Sequence, residues 1–175
     1  MPTTFHLRVW TRFLAPVADV WRIKTDPVLL AEEFAPYGSN GLTHTDVLQR
    51  ALAGEIPVSG EGTLRIGGFV PVAWPVTITE VTTERSFRDT SVNKLFSRYE
   101  HEHLFEETPD GCRYVDAITF VSTPPAQKLT AILVKRLFEH RHRVAAKRLP
   151  ADPEATGIAM LRVLVEDEDE QRKVG

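Results

Sequence analysis

Between Ala126 and Leu149 the chain carries neither glycine nor proline, and its apolar residues recur at helical spacing. At about 100° per residue, Leu129, Leu133, Leu137, His140 and Val144 fall on one arc, with Val134, Phe138 and Ala145 beside it. Lys128, Lys135, Glu139 and Arg143 fall on the opposite side. A helix of this length with one apolar side must cover a large apolar surface. The stretch ahead of it, as far as Thr123, reads almost entirely as strand, so that surface is a sheet.

The strands are read from period-two alternation. Phe5, Leu7, Val9 and Thr11 alternate with polar neighbours over about Thr4 to Phe13. Pro16 then opens a short helix with Val17, Val20 and Trp21 on one edge. Asp26-Pro27 opens a second, an N-cap oxygen followed by proline at the first helical position. Pro36, Gly38 and Gly41 end it. Further strands are expected over Thr63 to Val70, Val72 to Val81, Ser86 to Val92, Arg98 to Glu107 and Cys112 to Ser122. Thr108-Pro109-Asp110-Gly111 is turn chemistry between the last two, which makes them antiparallel. Pro124-Pro125 stops the sheet. The expected class is α+β, a curved antiparallel sheet wrapped around the long helix.

Beyond Leu149, Pro150 to Thr156 reads as a linker and Ile158 to Val165 as strand. Glu166 to Glu170 is an acidic run, expected to be disordered. One domain over 1–149 with a tail over 150–175 is the expected organisation. The tail strand would add to its own sheet or serve a homodimer contact.

Composition excludes several classes. With 175 residues, 42% of them apolar, the chain can bury a full core as one domain. Its formal net charge of −3 argues against a nucleic-acid partner. One cysteine, Cys112, excludes an internal disulfide. No apolar run reaches the roughly 18 residues of a membrane span. The N-terminus lacks a signal-peptide pattern, so a cytoplasmic location is expected. No Gly-x-Ser-x-Gly elbow occurs, and Gly67-Gly68 is followed by no Lys-Ser/Thr, so it is not a phosphate loop.

The order of elements and four local words resemble the helix-grip fold of the START and birch-pollen-allergen superfamily, SRPBCC. Pro16 to Trp21 with Thr25-Asp26-Pro27 resembles its first helical pair. Arg98 to Phe105 resembles the aromatic-x-His-x-His-x-Phe strand of its bacterial ligand-binding, polyketide cyclase-like branch. Gly111 to Phe120, containing Asp116, and Leu137 to Arg143 follow in order. The resemblance implies a cavity between sheet and long helix that takes lipids, polyketides or other hydrophobic and aromatic metabolites, and in some members cyclase or dehydratase activity.

On the strand from Arg98, residues two apart share a face. Tyr99, His101, His103 and Phe105 point one way, and Arg98, Glu100, Glu102 and Glu106 the other, toward solvent. On the following strand Tyr114, Asp116, Ile118 and Phe120 share the apolar face. A two-residue turn at Pro109-Asp110 would set His103 opposite Asp116; a three-residue turn would change the parity. Three roles are open to these residues: hydrogen-bonded sheet members with Asp116 satisfying a ring N–H, polar lining of a pocket, or general acid/base catalysis by His101, His103 and Asp116. The expected ligand wall is Tyr99, His101, His103, Phe105, Asp116, Ile118, Phe120, Leu129, Leu133, Leu137, His140 and Arg141. Arg141 either snorkels to water or is buried against Asp116 or a ligand carboxylate. His140 and His142, about 200° apart on a helix, cannot both face inward. A metal site would need His101, His103 and His140, with Asp116 as a fourth ligand. No metal or other cofactor is expected. A small hydrophobic ligand is the expected partner; a cyclase or dehydratase on the same fold, and an interaction module with a closed cavity, are the alternatives.

Overall fold

The alternation of Phe5, Leu7, Val9 and Thr11 is realised in strand β1, Thr3–Phe13, where every second residue is buried. The computed structural model describes residues 1–35, 38–39, 43–66 and 70–164. After β1 come α1 (Val17–Thr25), α2 (Pro27–Phe34), β2 (Gly38–Ser39), α3 (Thr43–Leu52), β3 (Val58–Gly60), β4 (Thr63–Ile66) and β5 (Val70–Ala73). Then follow β6 (Val76–Thr82), β7 (Ser86–Ser91), β8 (Arg98–Thr108), β9 (Gly111–Ser122), α4 (Gln127–Ala145) and β10 (Ala151–Leu164). Asp26 caps α2 as its sequence suggests, its Oδ1 accepting from the amides of Val28 at 2.8 Å and Leu29 at 3.0 Å.

A seven-stranded antiparallel sheet has the order β10-β1-β9-β8-β7-β6-β3. α4 packs against β1, β9 and α2, so the core lies between the long helix and the concave side of the sheet. Phe5 and Phe120 stack there at 5.0 Å, and Trp74, Phe96 and Tyr99 form an edge-to-face group at 5.2 Å. The β8–β9 turn has two residues, with Thr108 paired to Gly111 and therefore His103 opposite Asp116. A side chain at Gly111 would collide with the Phe13 carbonyl and come within 2.9 Å of the Ala15 amide.

Four features differ from the expectation. Thr43–Leu52 is a helix, whereas the stretch from Gly41 to Thr123 reads almost entirely as strand and no helix is expected there. Val47, Leu48 and Ala51 recur at helical spacing, and all three are buried. Second, the expected strands over Thr63–Val70 and Val72–Val81 become β4, β5 and β6. The first two join β2 in a separate three-stranded sheet, and Pro75 separates β5 from β6. Third, the expected linker after Pro150 is already strand: β10 starts at Ala151 and runs antiparallel along β1, with Gly157 opposite Trp10. Pro36, Gly41, Gly67-Gly68, Val165, the acidic run and the rest of the tail lie outside the described residues.

Fourth, α4 is rotated relative to its expected arc. Its buried side is Thr130, Ala131, Val134, Leu137, Phe138, Arg141, His142 and Ala145. Leu129 is 58% exposed and Ile132 50%. Apolar residues surround the first two turns on most sides, so apolarity alone does not choose a face. Ala131 and Ala145 let the helix approach the sheet closely, and buried carboxylates receive Arg141 and His142. Among the described residues no helix is long and apolar enough to cross a membrane.

Candidate functional site

The buried centre of the protein holds an uncommon set of charged side chains: Lys24, Glu33, Asp89, His101, His103, Asp116, Arg141 and His142. Such groups cost free energy in a core unless they are paired. Two connected networks pair them.

The first joins α1, α2 and α4. Lys24 Nζ donates to Glu33 Oε2 at 2.7 Å, and Arg141 Nε approaches the same oxygen at 3.4 Å. Lys24 also lies 4.4 Å above the Tyr114 ring. The Arg141 guanidinium sits between Phe34 and Phe138, 4.8 and 4.9 Å from their ring centres. Burial lowers the Lys24 ammonium from its ordinary range despite the Glu33 charge. Arg141 is raised, because Asp116 and Glu33 outweigh its burial. Arg141 is thus 2% exposed and bound by carboxylate, so it does not snorkel to water.

The second network centres on Asp116. His101 Nε2 donates to its Oδ1 at 2.9 Å, and His142 Nε2 donates to its Oδ2 at 3.0 Å. The Tyr114 hydroxyl also donates to Oδ1. His103 Nδ1 lies 2.7 Å from the Tyr114 oxygen and 3.1 Å from Asp116 Oδ1. Burial would raise the Asp116 carboxyl, but Arg141, His101 and His103 together hold it well below the ordinary carboxylate range. On the opposite side of the histidines stands Asp89, with Oδ2 3.1 Å from His101 Nδ1 and 3.3 Å from His103 Nε2. Asp89 is depressed as well, since the His101 charge and bonds exceed its burial. His101 is raised, Asp89 and Asp116 overcoming its desolvation. His103 is lowered, first by burial and then by the neighbouring His101. His142 is lowered by burial.

A hollow of about 60 Å³ opens in front of these groups. Asp89, His101, His103 and Arg141 line its polar side, and Leu30, Phe34, Leu48, Trp74, Phe87 and Phe138 much of its apolar side. It is far smaller than the roughly 300 Å³ of ordinary small-molecule sites. A larger hollow, about 890 Å³, lies around the β8–β9 turn between Pro16, Glu84 and Asp110, and no histidine among the described residues lines it.

Of the expected ligand wall, Tyr99, His101, His103, Leu137 and Arg141 line the small hollow. Asp116 stands behind the histidines, and Ile118 and Phe120 are buried in the core. Phe105 borders the larger hollow instead. Leu129 is on the outer side of α4, and Leu133 is half-buried away from the hollow. His140 is not inward: its Nε2 reaches the Ala35 carbonyl at 2.6 Å near the surface. His142, expected outside, is the buried one, because Thr11 and Asp116 bond both its nitrogens. The set His101, His103, His140 and Asp116 therefore does not converge as metal ligands.

Lys24, Glu33 and Asp89 escaped the sequence reading, yet their positions carry a signal. Lys24 follows Val20 and Trp21 by four and three residues, on the same side of α1. Glu33 bears the same relation to Leu29 and Leu30. Asp89 alternates with Phe87 and Ser91 on the buried face of β7. A charge on an apolar face calls for a buried partner.

A long helix held against a curved antiparallel sheet, with two short helices after the first strand, defines a helix-grip fold. The Zhui aromatase/cyclase from Streptomyces is similar in fold, with a TM-score of 0.66 at 12% identity over 83% of this chain and 93% of that one. TTHA0849 from Thermus thermophilus gives 0.61 at 19% identity over 82% and 95% of the two chains. Ara h 8.0201 gives 0.58 at 13% identity over 85% and 97%. Residues 11–149 match the family model described as a domain of unknown function, DUF8410, and the chain belongs to that family. No curated protein matches it.

Proposed function

We propose that the protein binds a compact small molecule between sheet and α4, with its polar group on His101, His103 and Arg141 and its apolar part against Phe34 and Trp74. One observation carries this reading: five titratable side chains, Asp89, Tyr99, His101, His103 and Arg141, line the same hollow as an apolar wall. Buried polar groups are retained where they find a partner, and the polar group of a ligand would supply one at the hollow. At about 60 Å³ the hollow suits a ligand of a few heavy atoms rather than a lipid or a long polyketide. One similar fold bears the name aromatase/cyclase, which supports small-molecule binding here.

Histidine-selective NMR tests it. Compact carboxylates, phenols and enols titrated into the protein should shift the ring signals of His101 and His103 and leave His6 and His140 unmoved. If every compound leaves His101 and His103 in place, the reading fails and the closed interaction module takes its place.

A second reading, an acid/base enzyme of cyclase or dehydratase type, is favoured by one arrangement. His101 has Asp116 behind it at 2.9 Å and the hollow in front. A carboxylate that orients an imidazole is the arrangement by which a histidine moves protons. A bound ketone would then exchange its α-protons for deuterium, and His101→Gln would stop the exchange.

A further inference from the structure

We infer that Asp89, His101 and His103 hold one divalent transition-metal ion at the polar end of the hollow. Each of the three offers one donor atom within 4.8 Å of the others, and Asp89 Oδ2 faces His101 Nδ1 and His103 Nε2. The two nitrogens stand 3.1 and 3.3 Å from the carboxylate oxygen. Ligand atoms bonded to one ion at about 2.0–2.2 Å are separated by roughly 3.0–3.5 Å, so these spacings suit a shared ion.

Proton accounting points the same way. Asp116 only accepts, so the His101 proton sits on Nε2. The Tyr114 hydroxyl spends its proton on Asp116, so His103 must donate from Nδ1. Each neutral ring then turns a lone pair toward Asp89, which is itself an acceptor. Three acceptors converge on one point. Protonating His101 satisfies one of the two contacts and leaves the His103 lone pair facing the carboxylate. A cation satisfies all three.

The surroundings fit. Metal-bound histidines are oriented by hydrogen bonds from their far nitrogens, and here Asp116 and Tyr114 hold both. Among the described residues the buried charges comprise three carboxylates, Glu33, Asp89 and Asp116, against two cations, Lys24 and Arg141. With neutral imidazoles the cluster is one negative charge in excess. A divalent ion turns this to one positive charge, which an anion facing the hollow beside Arg141 would neutralise. Two imidazoles and a carboxylate leave coordination positions open, and the hollow has room for water or a small carboxylate in them. This donor set suits zinc or ferrous iron rather than calcium or magnesium. The site goes beyond the ligand reading and does not require it.

Chelator-treated, untagged full-length protein should bind one equivalent of Zn²⁺ by calorimetry. Asp89→Asn should weaken binding by more than about tenfold, while His6→Ala and His140→Ala leave it unchanged. Histidine NMR of the unaltered chain serves as a second measurement should the variant not fold. Zn²⁺ should move His101 and His103 together. Absence of stoichiometric binding, binding undiminished in folded Asp89→Asn, or shifts confined to His6 and His140 would each overturn the site. No organic ligand enters this titration, so its failure leaves the small-molecule reading standing.

Discussion

His142 on α4 and Asp116 on β9 clasp the helix to the sheet: the Nε2–H donates to Oδ2 at 3.0 Å, while Nδ1 lies 2.9 Å from the Thr11 hydroxyl on β1. Both side chains are buried, so loss of the imidazole strands a carboxylate oxygen and a hydroxyl. We expect His142→Ala to cost about 2–4 kcal/mol, a lost hydrogen bond to charge plus a cavity. His140→Ala should cost about 0.5 kcal/mol or less, as for most surface changes. Urea unfolding of the two variants checks this; equal losses would mean that α4 presents the other histidine to the sheet.

Lys24 and Glu33 form a buried pair with no exposed side-chain surface. Breaking a buried pair costs about 3–5 kcal/mol, and here Arg141, 3.4 Å from the same Glu33 oxygen, holds the loss of Lys24 toward the lower end. Lys24→Met should therefore destabilise strongly, and Lys24→Met with Glu33→Leu should recover part of the loss. Arg141 sets the limit of recovery, since it loses its carboxylate in the double variant. A double variant weaker than the sum of its single changes would refute the pairing.

Cys112 is buried opposite Phe13, and burial, aided by Glu106, raises its thiol to about 12. The raised value means that folding favours the neutral thiol. That contribution is whole below the unfolded thiol pKa, about 8.5, and is lost as pH rises toward the folded value. A thiol reagent at pH 8 should leave the folded protein unlabelled and label it fully in denaturant. Cys112→Ala should flatten the alkaline loss of stability. Rapid labelling of the native protein at pH 8 would contradict the burial.

Residues 1–149 should fold without the tail, since every strand that lines the site precedes β10. Truncation after Leu149 leaves one side of β1 unpaired, an open edge ready to meet another copy. We expect a folded chain with a lower melting temperature and a raised tendency to dimerise in light scattering. An unfolded truncation product would show that β10 belongs to the domain itself. Gly157→Ala is a milder probe, because its new methyl group must displace the Trp10 indole from its place beside Arg113.

Period-two alternation was enough to place His101, His103 and Asp116 on inward faces, because β8 and β9 carry charge on one side and rings on the other. The turn residues left two registers open, and only the pairing of Thr108 with Gly111 selects the one that aligns His103 with Asp116. The helix was harder. Its apolar residues extend around much of the first two turns, so the arc through Leu129 and His140 matched the pattern as well as the true one through Val134 and His142. What decides between them is a pair of buried carboxylates far away in sequence. α3 was legible in Val47, Leu48 and Ala51 and was lost among the surrounding glycines and prolines.

β1 lies between β9 and β10, with Thr3 opposite both Ser122 and Leu164. Within this domain the first strand has no sheet neighbour until β9, about a hundred residues later. β9 must be made before β1 can pair, and α4 after it before the apolar face of Phe5, Leu7 and Val9 is covered. Pairings so distant in sequence close slowly. Until those partners form, the apolar side of β1 stays in water, so an incomplete domain presents an extended hydrophobic segment that is open to association.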